Sequence, residues 1–352
     1  MFLARVTSCA LGLLIASCGA IEDRFPEKLA AASDAEAKQD AFPPKTGPLL
    51  KHIPCLLGQI AANASHVFVT ATCGVKNSTG GISGRVELLR VSKSGDGSST
   101  IAALPLTSGD GSYEGPIALS NTDAFWLIQD QLYAVPYNPG SIRLLAAAAM
   151  NHTALAMSGS ILYYSNGPDL NAVSVTGGDP TTIVTGAPAA AIAVVDSTVF
   201  WVGIDCGVYK TNSDRTVHTL SQPASNCLAD GSGIAVLNGF VYWSDRGAVR
   251  RVPVGGGHSE SVFSGPGAMS VSPFESKLYW LDFATKLGSA NSSDNSVMTL
   301  SSNGTQPTAF WHQGGEHVIR SFVVQPNVLY VATTLSQSNF PYYDSQLYTS
   351  AL

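Results

Sequence analysis

The densest set of chemically competent side chains in this 352-residue chain is FWHQGGEHVIR (310–320), which holds His312, Glu316, His317 and Arg320. Imidazoles beside a carboxylate can hold a metal or pass a proton, and an arginine can clamp a substrate carboxylate. The spacing is not that of a helical zinc protease, because Gly314-Gly315 precludes the helix that would set both imidazoles on one face. A solvated loop accounts for the same residues with no chemistry at all. A second candidate is TTLSQSNFPYYDSQ (333–346), where Phe340, Tyr342 and Tyr343 crowd one long loop. Aromatics so placed either meet a ligand or partner or pack over a structural seam. Asp245 and Asp282 follow two similar aromatic pairs, Tyr242-Trp243 and Tyr279-Trp280. Their repetition favours a structural role, since one active site needs no copies.

Other motifs fail on spacing. SGDGSS (94–99) and SGDGS (108–112) lack the spaced carboxylates of a calcium loop. VPVGGG (252–257) is a hairpin turn and no phosphate loop, because no Lys-Ser/Thr follows it. GSYEG (111–115) has its serine in the wrong place for a nucleophile elbow. No catalytic residue is assigned, no cofactor is expected, and no CxxC spacing supports a metal.

The elements that must carry these residues are strands. The chain has 34 Gly and 19 Pro, with only 12% charged and 45% hydrophobic residues. Many turn formers and few charges point to short strands and tight turns. An alternating apolar segment with an aromatic at its second position recurs: HVFVTA (66–71), AFWLIQ (124–129), LYYSNG (162–167), VFWVGI (199–204), VYWSDR (241–246), LYWLDF (278–283) and LYVATT (329–334). The aromatics are Phe68, Phe125, Tyr163, Phe200, Tyr242, Tyr279 and Tyr330. Each segment follows another alternating run, such as GIAVLNG (233–239), and precedes two more, such as GAVRRVPV (247–254) and SESVFSG (259–265). Four short strands in roughly 40 residues make one blade of a β-propeller, which cannot bury both faces alone.

The fold class expected is therefore all-β, a β-propeller of seven four-stranded blades, with a six-bladed ring as the alternative. Its units fall at about 57–105, 115–148, 152–187, 190–222, 231–265, 267–311 and 319–352. The last unit has only three strands, so PLLKHI (48–53) is expected to supply its missing outer strand and close the ring. The propeller domain thus runs over 48–352.

Tyr242-Trp243-Ser244-Asp245 and Tyr279-Trp280-Leu281-Asp282, with the strand and turn VRRVPVGGG (249–257), resemble the YWTD blades of propellers related to the low-density-lipoprotein receptor. The chain is similar to secreted or lipidated bacterial forms of them, as in myxobacteria, over roughly 55–352. The resemblance implies that Asp245 and Asp282 accept backbone N–H bonds and tie adjacent blades. It is uneven: Asn166 takes the Asp position in unit three, and units one, two, four and seven lack it. The receptor propellers also have six blades, not seven.

Propeller loops that join the second to third strand, and the fourth strand to the next blade, share one face, usually the binding face. The candidate binding face is accordingly His312, Glu316, His317, Arg320, Tyr342 and Tyr343. Cys55 and Cys73 fall on that face around blade one, and Cys206 and Cys227 around blades four and five. Four cysteines allow three pairings; these positions favour Cys55–Cys73 and Cys206–Cys227. Each bridge is expected to contribute roughly 3 kcal/mol.

Residues 1–17 form an expected export signal, with Arg5 ahead of a short apolar run too brief to span a bilayer. Ile15-Ala16-Ser17-Cys18 resembles the bacterial lipobox, which implies lipidation of Cys18 and a membrane anchor. By the same analogy Gly19 points to the outer membrane. Residues 18–47, rich in Ala, acid and Pro, read as a tether. Net charge is −6 with no basic cluster, which excludes a nucleic-acid footprint. The reading is a monomeric, envelope-anchored binding module for a protein, peptide or glycan. The alternative is a lyase- or lactonase-like propeller enzyme, possibly metal-dependent, with its site at the channel mouth.

Overall fold

The computed structural model describes residues 47–352 except 77–81, 107–114, 139, 148–153, 224–232, 246, 266, 284–294, 302–305, 314–316 and 336–343. The expected signal peptide, Cys18 and the tether up to residue 46 lie outside the described residues.

Alternating apolar residues and two-residue turns make this chain a series of hairpins. Between the first and second strands of blades three to seven stand Gly159-Ser160, Asp196-Ser197, Asn238-Gly239, Glu275-Ser276 and Pro326-Asn327. Asp196, Ser197, Asn238 and Gly239 all have positive φ. That backbone matches the right-handed twist of the flanking strands, and Asn-Gly adopts it at low cost.

Seven antiparallel four-stranded sheets result, each ordered as in the sequence. The second strands, which carry the repeated aromatics, are His66–Lys76, Asp123–Ile128, Ile161–Asn166, Thr198–Gly203, Phe240–Ser244, Lys277–Phe283 and Val328–Leu335. The first strands are Leu56–Ala62, Ile117–Leu119, Leu155–Ser158, Ala189–Val195, Ile234–Leu237, Met269–Phe274 and His317–Gln325. Each first strand touches the first strand of the next blade, and that of blade seven touches blade one, so these strands form the inner wall of a closed ring. The fold is the seven-bladed β-propeller.

Closure follows the expected route. Leu49–Ile53 pairs antiparallel with Ser345–Ala351, with Lys51 opposite Leu347 and Ile53 opposite Ser345, and completes blade seven. Further bonds cross the junction between blades seven and one. Ser321 Oγ donates to the Gly58 carbonyl at 2.6 Å, and Gln325 Nε2 to that of Ala62 at 3.1 Å. The Lys93 ammonium lies 5.1 Å from the centre of the Tyr330 ring.

The core is seven clusters, one between each pair of neighbouring blades. A strand's side chains alternate in direction, so adjacent residues of one second strand serve opposite neighbours. Tyr242 packs forward against blade six with Leu278 and Trp280. Trp243 packs backward against blade four with Phe200 and Val202. The same division holds for Phe125 and Trp126, for Tyr163 and Tyr164, for Phe200 and Trp201, and for Tyr279 and Trp280. At the closing junction Tyr330 packs forward and meets Val69, which points backward from blade one.

The next position of the second strand has its own pattern. In blades one, three and five it is a buried hydroxyl, Thr70, Ser165 or Ser244. Each accepts an N–H: that of Gln59, inside the first strand, at 2.8 Å, and those of Ala154 and Gly233, just ahead of theirs, at 2.9 and 3.0 Å. The same pairs are closed from the other side, by Ser165 N–H on the Ala154 carbonyl at 3.0 Å and Ser244 N–H on that of Gly233 at 3.2 Å. Gly233 has a second constraint, because a Cβ there would lie 2.1 Å from the Val271 amide nitrogen of the next blade.

Since Trp243 is 2% exposed and fills one junction, Trp243→Ala is expected to cost about 3–5 kcal/mol in equilibrium urea unfolding.

Candidate binding face

The loops of one face are built from local turn chemistry. In blade five, Asp245 Oδ1 accepts the Gly247 N–H at 3.1 Å and Oδ2 accepts Arg250 Nε at 2.7 Å. In blade four, Asp205 Oδ1 accepts the Gly207 N–H at 2.9 Å and Oδ2 accepts the Tyr209 hydroxyl at 2.6 Å. Both are Asp-x-Gly turns whose carboxylate reaches forward onto the third strand. Burial and the Asp205 carboxylate push the Tyr209 phenol well above its ordinary pKa. Among the described residues the Asp245 bonds lie inside blade five and brace a hairpin. Asp205 escapes alignment on the aromatic pair because its loop is longer, which places it four residues after Trp201, whereas Asp245 follows Trp243 by two.

Asp282 differs. A Cβ on Gly265, at the end of blade five, would lie 3.3 Å from Asp282 Oδ1, so this carboxylate sits against the neighbouring blade. Oδ1 is buried without a hydrogen-bond partner among the described residues. Burial raises the Asp282 pKa.

The polar group at 310–320 is laid out differently from the loop expected. His312 belongs to the fourth, outermost strand of blade six, Thr308–Gln313, with Nδ1 3.0 Å from Ser296 Oγ. His317 opens the innermost strand of blade seven, with Nδ1 3.5 Å from Thr333 Oγ1. Strand pairing thus extends to both ends of the connection: Ser296 lies opposite His312, and Leu335 opposite His317. The two imidazoles hang from strands at opposite radial ends of the connection. Arg320 lies on the inner strand and is exposed. Glu316, Tyr342 and Tyr343 lie outside the described residues. Among the described residues no three His, Cys, Asp or Glu side chains gather as a metal site.

The innermost strands read LLGQIAA, IAL, LAMS, AAAIAVV, IAVL, MSVSPF and HVIRSFVVQ. These strands are mostly Ala, Ile, Leu, Met, Ser and Val, with Gly58, Gln59, Pro273, Phe274, Phe322 and Gln325 besides; Arg320 and His317 are their titratable residues, and none of them is a carboxylate.

One side of this face is stapled. Cys55 and Cys73 form a disulfide across 18 residues of sequence, with their Cα atoms 4.6 Å apart. Cys73 is not in a loop as expected: it lies within the long second strand of blade one, opposite Arg85. Cys55 follows the ring-closing strand after Pro54, so the bridge holds the point where the chain passes from blade seven into blade one. Cys206 is also disulfide-bonded. Its expected partner Cys227 lies outside the described residues.

The Asp282 environment gives a signed pH effect. A carboxyl whose folded pKa is raised favours folding most below its unfolded pKa, about 3.9, and loses that contribution as pH rises through the folded value. Asp282→Asn is therefore expected to raise Tm at pH 7, and the gain should vanish below about pH 4. Thermal unfolding at both pH values checks this.

No protein-family model matches the chain, and no curated protein matches it either. Solved structures do. The extracellular domain of a putative one-component system from B. thetaiotaomicron aligns over 87% of this chain and 40% of its own, at 9% identity and a TM-score of 0.56. BamB from Moraxella catarrhalis aligns over 85% of this chain and 97% of its own, at 13% identity and 0.51. PorZ, a bacterial surface component of the type-IX secretion system of Porphyromonas gingivalis, aligns over 86% and 39%, at 12% and 0.51. At these identities the likeness establishes the fold, a β-propeller.

Proposed function

We propose that this protein is an exported, lipid-anchored propeller of the YWTD-like kind that binds a protein, peptide or glycan at the cell envelope and does no chemistry on it. The observation that carries this reading is the channel wall. Seven inner strands line it mostly with small and aliphatic residues, among them one arginine and one histidine, a surface suited to holding a ligand. A lyase or lactonase would need carboxylates and imidazoles converging there, and the inner strands bring no carboxylate.

Location rests on separate support. Cys18 ends a lipobox-like stretch directly after an apolar run. A disulfide such as Cys55–Cys73 persists in oxidising compartments outside the cytosol. Two proteins of similar fold are described as an extracellular domain and a surface component. The YWTD-like assignment rests on Tyr242-Trp243-Ser244-Asp245 and on the work each residue does: two faces packed, an amide just ahead of the first strand satisfied, and a hairpin braced.

Two measurements test the reading. Cys18→Ser is expected to abolish incorporation of labelled palmitate in a bacterial host and to move the protein from the membrane to the soluble fraction; an unlabelled wild-type protein would remove the anchor from the account. Peptide and glycan arrays probed with the full chain are expected to show saturable binding to one class. Mass spectrometry should then recover that ligand intact, whereas a cleaved or unsaturated product would replace binding with catalysis.

A further inference from the structure

Arg320 occupies an unusual place. The innermost strand of blade seven has an irregularity between Ile319, opposite Thr333, and Ser321, opposite Ala332, so Arg320 is an extra residue with no partner across the hairpin. Ile319 and Phe322 are buried against blade six. Ser321 turns the other way and bonds the Gly58 carbonyl of blade one. Both blade-facing directions are thus taken, and Arg320 is exposed. An inner strand flanked by a blade on each side borders the channel, and the bulge turns Arg320 out of both blade interfaces. Arg320 forms no ion pair with any described residue.

Blade one's inner strand, across the junction, also carries a bulge: between Leu57 and Ile60 the two residues Gly58 and Gln59 stand opposite the single residue Thr70. The buried 2.6 Å Ser321–Gly58 bond fastens the two bulges together. A charged donor therefore stands at the junction where the ring closes.

We propose that Arg320 binds the carboxylate of an extended peptide whose adjoining residues are apolar; this rests on the binding-module reading above. A guanidinium pairs with carboxylate through parallel N–H bonds, and low-dielectric walls strengthen the pairing. The inner strands around it carry partly buried aliphatic side chains such as Leu155, Met157 and Val236. They match apolar peptide side chains, whereas a sugar would need polar partners. The carboxylate can be a C-terminus or an acidic side chain, and both present the same group.

The test uses the full chain and matched alanine–leucine–valine hexapeptides, titrated calorimetrically. One ends in a free carboxylate, one in a carboxamide, and one is the carboxamide with a single internal glutamate. The free acid or the glutamate peptide is expected to bind about tenfold or more tighter than the plain amide. Arg320→Gln should erase that difference with Tm unchanged, and Arg320→Lys should keep part of it. Which of the two acids binds tighter identifies the source of the carboxylate. Equal binding of all three peptides, or an unchanged preference in Arg320→Gln, would overturn the carboxylate site while leaving the binding-module reading intact. Binding of an oligogalacturonate in an Arg320-dependent way, with no peptide bound, would overturn the peptide assignment. Absence of binding by every probe overturns the inference and leaves the array experiment to judge the broader reading.

Discussion

The structure depends on one constraint: a strand that must bury both of its faces needs a neighbour on each side. Trp243 and Tyr242 are adjacent in sequence and serve different junctions, four-five and five-six. Every blade repeats the arrangement, so no blade has a finished core of its own. Only a closed ring satisfies them all, which makes the last junction as necessary as the first. That junction receives the most varied fastening: a strand from the chain's beginning, Ser321 to Gly58, Gln325 to Ala62, and the bridge from Cys55 to Cys73.

Much of this is legible in the sequence because it follows from a period of two. The seven aromatic positions, the four strands per unit and the missing outer strand at PLLKHI all emerge from alternation and counting. What escapes depends on partners across the sheet. The second strand of blade one runs on through Cys73 because Arg85 and Gly84 continue the ladder opposite it. His312 and His317 belong to strands because Ser296 and Leu335 pair with them. The bulge at Arg320 is invisible to a periodic reading, since a bulge is a break in the period. Asp205 is hidden by loop length, although it makes the same Asp-x-Gly turn as Asp245.

These differences separate scaffold from site. Residues shared between blades pack, satisfy amides and brace turns. Inner-strand bulges occur in blades one, four, six and seven, and what distinguishes that of blade seven is the exposed arginine it carries.

Hydrogen–deuterium exchange of the full chain, read residue by residue, tests ring closure most directly. The account expects amides of Leu49–Ile53 and Ser345–Ala351 that face each other across the ladder to be protected to the same degree as the central hairpins of blades two to six. Exchange of Leu49–Ile53 at the rate of an unstructured chain, with the other blades still protected, would contradict it.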